Sequence, residues 1–446
     1  MNNLKTISEN KIIILIVLAA LAISLVHSFY FQLEPIVDAA AYDRIAQNLA
    51  AGRGYLEWQN ALVQNDFSIA RVGPGYEFFL AGVYKIFGHH YWPIWILQAI
   101  FHALTVLFVY LTAKEIFKSR WGVLIGISAA ALIAFSPDLI VASSMLLTEN
   151  LAVFLLAACL YFFVRYWREN DWLDTVVLAI FFALAVLVRS QLVLLAIVFF
   201  ALFLARKDWK KIVIFLAVAV LFFIPWVVRN YQIYKTFIPF NAALGYNLWN
   251  GNHPGASGEM EVDYQPLIDY HASHTPLEVN REGIKQFREF VFQRPGEFIE
   301  LTLKRISIFF SFSRPTGFWP NFSKLQQIIT AALSSVYSVL VFTLGFAGMW
   351  LAFKNAAPPQ KNLLKYFLWL TLMIPLGVIF ILVETRYRYP IYPLLAIFGG
   401  YAIYCARFRW AEFTNTAAFV FLILLANTLV DFFSNLERIF KYMGIM

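Results

Sequence analysis

Long apolar segments separated by short polar loops form the main pattern of this chain. Because only a helix satisfies its own backbone polar groups inside a bilayer, each segment near the length of a bilayer span predicts a transmembrane helix. Several segments are shorter than a full span, and the pattern predicts a bundle of about eleven helices. The segments are 12–32, 91–113, 121–135, 146–164, 175–188, 191–205, 212–228, 327–350, 363–383, 391–405 and 413–432.

Two of the polar loops are long, and both contain helical patterns of their own. In the loop 33–90, the periodicity over 43–50 predicts an amphipathic helix at the membrane interface. The segment 75–88 is apolar but too short and too charged to span, so it predicts a second interfacial or re-entrant helix. The loop 229–326 contains a predicted helix near 278–293 and is too small for a large independent domain. We therefore expect one transmembrane domain over 1–446 with two large outer loops.

Composition and charge agree with this pattern. The chain is 61% hydrophobic and only 14% charged, which indicates a polytopic all-α membrane protein. With the N-terminus in the cytoplasm, six short loops carry 16 of the 35 basic and 7 of the 27 acidic residues, so the basic excess marks the cytoplasmic side. This explains the net charge of +8 without a nucleic-acid partner. Cys159 and Cys405 both lie inside predicted helices, which argues against a disulfide framework or a thiolate metal site.

The unusual polar residues converge on the opposite, outer side in this topology. Asp38 follows the first span, Arg189 interrupts an apolar run, and the turn 384–390 contains two arginines and a glutamate. Charged groups at membrane depth are costly, so a cluster of them near one face predicts a functional site.

These residues fall into a longer pattern that resembles a known family. The first outer loop is similar to that of bacterial GT-C membrane glycosyltransferases, the relatives of protein O-mannosyltransferases and lipid A aminoarabinose transferases. The resemblance covers nearly the whole chain in the family's order. It is carried by Asp38-x-x-x-Tyr42-Asp43-x-Ile45-Ala46-x-Asn48-Leu49, Gly52-x-Gly54-Tyr55, Arg71-x-x-Pro74-Gly75-Tyr76, Ser136-Pro137, Thr148-Glu149, Leu187-x-Arg189, Pro225-Trp226-x-x-Arg229-Asn230, Gly245-x-Asn247-Leu248-Trp249-x-Gly251-Asn252 and Glu384-x-Arg386-Tyr387-Arg388-x-Pro390.

The resemblance implies a GT-C-type transmembrane bundle with interfacial helices in the first outer loop, and an inverting glycosyltransferase of the hexosyl- or pentosyltransferase class. Such an enzyme takes a sugar from a polyprenyl-phosphate carrier and passes it to a hydroxyl group of a lipid, glycan or protein acceptor. The expected location is the cytoplasmic (inner) membrane, with the active site on the outer, periplasmic side. The expected partners are the lipid-linked donor, the acceptor and membrane lipids.

The resemblance also assigns roles to particular residues. Asp38 matches the family's catalytic aspartate and is the expected general base, although an aspartate there could also cap a helix beginning near Ala39. Glu149 stands where relatives carry a second acid, and its alternative is a carboxylate satisfied by polar neighbours. Asp138, one residue after a turn proline, competes for that role or caps the next helix.

Four arginines are the expected ligands of the donor phosphate, since a guanidinium fork suits phosphate oxygens. Arg71 could instead snorkel to the interface. In the turn 384–390, Glu384 can neutralise one arginine, and two arginines for one glutamate predict spare positive charge. The four candidates are Arg71, Arg189, Arg386 and Arg388.

The remaining candidates concern the sugar, the acceptor and possible cofactors. The sugar- or acceptor-binding candidates are Tyr42, Asp138, Asn247 and Asn252, although the two asparagines could equally belong to a loop with tight turns. The histidines show no paired-ligand spacing, and no glycine-rich nucleotide loop is present. The sequence therefore predicts no metal and no cofactor.

Two rival functions remain open at this level. A flippase or transporter of lipid-linked glycans could use the same arginines, and an O-antigen ligase or polymerase would also act on lipid-linked sugars. A flippase needs cations in its path but no general base. Scattered positions of Asp38, Glu149, Arg71 and Arg189 would argue against catalysis.

Overall fold

The computed structural model describes residues 2–118, 121–312 and 322–436, and in these ranges the chain is helical with no β-strand. The helices are α1 (Asn2–Phe31), α2 (Asp38–Ala50), α3 (Pro74–Phe87), α4 (Trp92–Ile116), α5 (Gly122–Ala134), α6 (Pro137–Ser144), α7 (Thr148–Glu169), α8 (Trp172–Val188), α9 (Leu195–Ala205), α10 (Trp209–Tyr234), α11 (Leu244–Gly251), α12 (Gln265–Ser273), α13 (Pro276–Gln293), α14 (Pro295–Phe310), α15 (Lys324–Asn355), α16 (Pro358–Leu376), α17 (Tyr392–Phe408) and α18 (Trp410–Ser434). Three 3₁₀ helices span Phe67–Ala70, Ser190–Leu194 and Thr385–Ile391.

The predicted all-α polytopic fold class is confirmed, and each of the eleven predicted segments coincides with a helix. Fewer of them are complete spans. In the described residues, 7 helices are long and apolar enough to cross a membrane, or 8 if the bent pair α5–α6 counts as one span. The predicted segments 175–188 and 191–205 correspond to the shorter apolar helices Trp172–Val188 and Ser190–Ala205.

Polar residues and prolines end or bend several of the shorter helices. Ser136 caps α6, with its hydroxyl accepting a hydrogen bond from the Leu139 amide at 3.4 Å, and Pro137 occupies the first turn. The chain bends by 51° between α5 and α6. Arg189 ends α8 in an extended conformation before the next 3₁₀ helix begins. The interruption that the sequence showed at Arg189 is therefore a real break in the helix.

Helices are present at both positions in the loop 33–90 where interfacial helices were predicted, as α2 and α3. Helix α2 begins at Asp38, five residues before the predicted start, and ends ahead of Gly52 and Gly54, which have φ of 73° and 98°. The predicted helix near 278–293 is α13, which starts with a capping box formed by Thr275 and Glu278. Part of the loop 229–326, residues 313–321, lies outside the described residues.

Helix α17 lies in the middle of the bundle and contacts α4, α5, α15 and α18. Glycines make two of these approaches possible, because a side chain at Gly348 would meet the carbonyl of Phe398 and one at Gly400 would meet the carbonyl of Ile125. The Thr385–Ile391 3₁₀ helix leads directly into α17. Residues of that turn are therefore anchored in the centre of the molecule.

Candidate functional site

Segments that are distant in sequence meet at one end of the bundle. The start of α2, the loop before α3, the start of α7, the break after α8 and the turn before α17 all contribute charged side chains there. We call this group the arginine–carboxylate cluster. Its members are Asp38, Glu57, Arg71, Glu149, Arg189, Glu384 and Arg386.

Asp38 is the first residue of α2, and its carboxylate points at arginines rather than at the helix backbone. One oxygen accepts a hydrogen bond from Arg386 Nη2 at 2.6 Å, and the other lies 3.9 Å from Arg71 Nη1. The helix is instead capped by Val37, with no side-chain cap hydrogen bond. Val37 has φ of 50°, an uncommon conformation for a β-branched residue. The capping role that was the alternative for Asp38 is therefore not what the structure shows.

The charges around Asp38 control its protonation. Burial raises the pKa of Asp38, but Arg386, with smaller contributions from Arg71 and Arg189, outweighs this effect and holds that pKa below its usual value. In this arrangement Asp38 is an ionised carboxylate at neutral pH. A carboxylate with a lowered pKa is a weak base for as long as its arginine partners remain in contact.

Arg386 links three carboxylates. Its Nε donates to Glu384 at 2.8 Å and lies 3.6 Å from Glu149, while Nη2 reaches Asp38. The side chain is 10% exposed, so it is largely desolvated but not sealed. Arg386 therefore joins the start of α2 to the start of α7.

Arg189 and Glu149 form a more deeply buried pair. The distance from Arg189 Nη1 to Glu149 Oε1 is 2.6 Å, and the two side chains are 3% and 1% exposed. Thr148 accepts a further hydrogen bond from Arg189 at 3.2 Å. The side-chain oxygen of Gln191 accepts hydrogen bonds from Nη2 and Nε of Arg189, both at 3.1 Å. This holds for the amide orientation in which the oxygen faces donors and the nitrogen faces acceptors. Tyr387 lies beneath the guanidinium, with its ring centre 5.1 Å away.

Arg71 is positioned by a glutamate that the sequence reasoning missed. Glu57 accepts hydrogen bonds from Arg71 Nη2 at 2.6 Å and from Nε at 3.1 Å, and its other oxygen accepts from Arg44 at 2.5 Å. Glu57 is 3% exposed, whereas Arg71 is 31% exposed. Asp66 fixes the loop by accepting from the backbone amides of Glu57 and Trp58. The Arg71 guanidinium therefore stays at the edge of the cluster.

The loop after Arg71 is held against the end of α8. Side chains at Gly73 and Gly75 would collide with the backbone of Leu187 and Val188, so only glycine allows this approach. Because Arg189 follows directly after Val188, this contact fixes the two arginines relative to each other.

Buried tyrosines and one buried glutamate, Glu77, lie close to the cluster. Tyr42 is 1% exposed, packs edge-on against Tyr76 at 5.8 Å, and is close enough to Asp38 for the carboxylate to raise its pKa further after burial has done so. Glu77 is fully buried beside Tyr55, and burial raises its pKa to about 8. Glu77 is thus a neutral acid at pH 7, and sequence reasoning did not single it out.

Arg388 and Asp138 do not join the cluster. Arg388 is 1% exposed and donates to the backbone carbonyl of Ser311 at 2.8 Å and to the hydroxyl of Ser338 at 2.9 Å. Asp138 accepts hydrogen bonds from Ser334 at 2.5 Å and Tyr392 at 2.6 Å. These residues form a separate network, the Asp138–Arg388 network. Arg388 lies apart from Arg386 because residues two apart on a 3₁₀ helix point in different directions. Phosphate contact by Arg388 stays a prediction.

The charge balance also differs from the prediction of spare positive charge in the turn 384–390. Arg386 contacts Glu384 and Asp38, while Arg388 is buried elsewhere. Each of the three arginines in the cluster already contacts at least one carboxylate. That prediction was wrong because it counted only charges adjacent in sequence.

The two asparagines predicted to bind sugar have different environments. Asn252 is 1% exposed and bonds to the carbonyls of Leu248 and Ile381 and to Arg305, so it fastens α11 to the chain before Glu384. Asn247 lies half-buried in α11. Asn252 is therefore engaged in hydrogen bonds within the fold.

The loop 229–326 places aromatic rings beside Arg71. His271 stacks on Phe67 at 3.8 Å and meets Tyr246 edge-on at 5.8 Å. Burial raises the pKa of Tyr246, Arg71 opposes this and Asp38 adds to it, which places Tyr246 near both groups. Asn241 donates to the carbonyl of Val72 at 2.6 Å, so the two outer loops are joined. No spacing pattern in the sequence pointed to these rings.

Two small, mostly apolar depressions include residues next to the cluster. One begins at Gln191 and Tyr387 and is lined by Leu192, Leu195, Met373, Ile374 and Pro390. The other begins at Ala39 and is lined by Leu33, Glu34, Ile36, Met145, Leu146 and Leu147. Among the residues that the structure describes, no three His, Cys, Asp or Glu side chains are grouped so as to hold a metal ion.

A family model matches part of the chain. Residues 71–228, roughly a third of the sequence, match the family described as dolichyl-phosphate-mannose-protein mannosyltransferase. This segment contains Arg71, Asp138, Glu149 and Arg189. No curated protein matches the chain.

Solved structures resemble the chain as a whole. The apo oligosaccharyltransferase of Archaeoglobus fulgidus aligns at a TM-score of 0.51 and 15% identity, covering 95% of this chain and 55% of that one. Two others align less well. The same organism's AglB in complex with an inhibitory peptide and a dolichol-phosphate has a TM-score of 0.48 and 17% identity, covering 94% of this chain and 55% of that one. ArnT from Cupriavidus metallidurans bound to undecaprenyl phosphate has a TM-score of 0.41 and 14% identity, covering 88% of this chain and 79% of that one.

These comparisons have defined limits. The chain spans about half the length of the oligosaccharyltransferase chains that it matches. The predicted resemblance to GT-C glycosyltransferases is confirmed by the family match over residues 71–228. The chain also shares the fold of the apo oligosaccharyltransferase over 95% of its length.

Proposed function

We propose that this protein is an inverting glycosyltransferase that moves a sugar from a polyprenyl-phosphate carrier to a hydroxyl acceptor at the outer face of the cytoplasmic membrane. The observation that carries the proposal is the meeting of Asp38 with Arg386 at 2.6 Å and with Arg71 at 3.9 Å. A base and two phosphate-binding cations are thus within reach of one sugar phosphate. The matched mannosyltransferase family supports the reaction class.

The chemistry uses each group once. The acceptor hydroxyl loses its proton to Asp38 as its oxygen forms a bond to the anomeric carbon of the donor. The bond between that carbon and the phosphate oxygen breaks, and the electron pair leaves on the phosphate. Arg386 and Arg71 stabilise the negative charge that develops there. Attack opposite to the leaving group inverts the configuration at the anomeric carbon.

Arg189 and Glu149 complete the site from the membrane side. Their pair is nearly sealed, at 3% and 1% exposure, and lies beside the depression that begins at Gln191 and Tyr387. Leu192, Leu195, Met373, Ile374 and Pro390 form an apolar surface next to Gln191 and Tyr387, both of which contact Arg189. An apolar surface beside a cation suits a carrier with an isoprenoid tail and a phosphate head. We assign Arg189 to the phosphate and Glu149 to holding Arg189 and Arg386 in place.

The proposed location of the cluster at the outer face is argued from the positions of the two ends of α7. Helix α7 begins with Glu149 in the cluster and ends near Arg165 and Arg168, in one of the loops that the basic-residue rule assigns to the cytoplasm. The cluster is therefore at the opposite end. The acceptor approaches from the side covered by Tyr246 and His271, and it is a lipid, a glycan or a protein with a free hydroxyl group.

A flippase or transporter would have no role for Asp38. A flippase would need the arginines, but a carboxylate bonded to one of them would weaken its hold on phosphate. A ligase or polymerase would share the site and differ in its acceptor. The grouping of Asp38, Glu149, Arg71 and Arg189 in one place favours catalysis over transport.

The first test is transfer of labelled sugar from native membrane lipids by the purified full chain. Asp38→Asn keeps the shape of the side chain and removes the base, so we expect transfer to fall by about 10²–10⁴-fold while the variant still binds polyprenyl phosphate. Asp269→Asn, an exposed carboxylate on α12 that contacts Gln265, is the matched control and should transfer normally. Equal transfer by wild type and Asp38→Asn would contradict the role of Asp38 as base and would favour the transporter alternative.

A further inference from the structure

The arginines that would bind a donor phosphate are already occupied by carboxylates of the protein. Arg71 bonds to Glu57, Arg189 to Glu149, and Arg386 to both Glu384 and Asp38. Buried charges are stable only when paired, so this arrangement suits the site before the donor arrives. It also means that a phosphate must displace a carboxylate in order to be bound.

The carboxylates differ in how easily they can be displaced. Glu149 and Glu57 are 1% and 3% exposed, and Glu57 is held by Arg44 as well as Arg71. Asp38 is 23% exposed, and its only hydrogen bond within the described part of the cluster is the one from Arg386. Glu384 has similar exposure, 22%, but lies two residues from Arg386 in the same turn and keeps its contact locally. Asp38 is therefore the partner most open to replacement.

A phosphate is a close chemical substitute for this carboxylate. Both groups present oxygens that accept charge-assisted hydrogen bonds from a guanidinium. The phosphodiester of a polyprenyl-phosphate sugar carries one negative charge, as Asp38 does, so exchanging one for the other leaves the charge around Arg386 unchanged. The desolvation cost of the cluster is then nearly the same before and after binding.

We propose that the donor phosphate takes the place of Asp38 at Arg386, so that donor binding itself frees the catalytic base. The proposal rests on the function proposed above and adds a control to it. Without donor, Asp38 is held by Arg386 and cannot accept a proton from a nearby hydroxyl or water. With donor, Asp38 is released beside the anomeric carbon while Arg386 holds the leaving group.

The proposed exchange predicts a direction for the change in donor affinity, which a catalytic base alone would not predict. If Asp38 competes with phosphate for Arg386, then Asp38→Asn should bind undecaprenyl phosphate more tightly than wild type. We expect about tenfold, the effect of no longer breaking one charge-assisted hydrogen bond. In an Arg386→Gln background the same substitution should change affinity by less than about twofold, because the contested group is gone.

The test is a double-mutant cycle of undecaprenyl phosphate binding to the full chain in nanodiscs, using wild type, Asp38→Asn, Arg386→Gln and the double variant. Asp269→Asn reports the effect of removing an acidic charge from the outer loops, and thermal melting of each variant verifies that it is folded. Unchanged or weaker binding by Asp38→Asn would overturn the exchange. Equal tightening in both backgrounds would also overturn it, since that indicates a general field effect.

The outcomes separate this proposal from the function on which it rests. If wild type transfers sugar and the cycle shows no coupling, the glycosyltransferase assignment stands and the exchange is wrong. If wild type binds no undecaprenyl phosphate and transfers no sugar, both are wrong. Tenfold tightening that depends on Arg386, together with transfer by wild type, supports both.

Discussion

Arg386 and Arg388 stand two residues apart in one turn, yet they have opposite surroundings. Arg386 contacts three carboxylates and retains 10% exposure. Arg388 is 1% exposed and donates to a backbone carbonyl and a hydroxyl, with Asp138 nearby. The first can exchange partners with a ligand, whereas the second cannot move without unpacking α15 and α17. Position in a turn, more than residue type, therefore decides whether a buried arginine belongs to a site or to the fold.

Substituting the two arginines in turn tests that difference most strongly. Arg386→Gln should lower sugar transfer by about 100-fold, the size expected for losing one group that stabilises a leaving charge, and should change the melting temperature little. Arg388→Gln should lower stability by about 3 kcal/mol or more, because it breaks a buried charged network. Thermal melting and transfer by the folded fraction measure the two effects. If Arg386→Gln and Arg388→Gln changed transfer and melting temperature in the same way, the proposed difference between the two arginines would be wrong.

The acids of the two regions provide the second test. Glu149→Gln should lower transfer by about tenfold, since Arg189 and Arg386 lose a charged partner, while Asp138→Asn should leave the turnover of the folded protein near that of wild type. The assay is transfer at saturating donor, corrected for the amount of folded protein. A larger loss of turnover in Asp138→Asn would return Asp138 to the active site and would show that the two regions act together.

Glu77 gives the most specific test, since it is a buried acid that belongs to neither of the two regions. Its folded pKa of about 8 lies above the ordinary 4.5, so the folded state holds a proton that the unfolded state loses. Wild type should lose stability as the pH rises from 4.5 to 8, by up to roughly 4–5 kcal/mol. Glu77→Gln should lose this component. Melting curves at pH 6 and pH 8.5 compare the two proteins, and parallel curves would contradict the assignment.

Much of the fold was accessible from the sequence, because apolar length and the positions of polar breaks are local signals. The segments chosen as spans are helical, and the isolated Arg189 does mark the end of α8. Fewer helices than the eleven predicted segments have the length and hydropathy of a full span in the described residues, partly because Pro137 and Arg189 interrupt the chain there. Length alone does not reveal where a helix stops being able to cross a bilayer.

The site was only partly accessible. Asp38, Glu149, Arg71, Arg189 and Arg386 were identified as candidates and do meet. Glu57 was missed because its contact with Arg71 depends on a loop fold that Asp66 stabilises, which no spacing rule predicts. Arg388 was included because adjacent charges look alike in a sequence, and only the phase of the 3₁₀ helix separates them.

The contact between Asp38 and Arg386 joins residues 348 positions apart in the chain. During synthesis, Asp38 emerges with the first span, and its partner follows only after most of the later helices have been inserted. A protein truncated before Thr385 would lack this pair however well its first helices were folded. The arginine–carboxylate cluster is therefore complete only after nearly the whole chain has been made, because its last members come from the turn before α17.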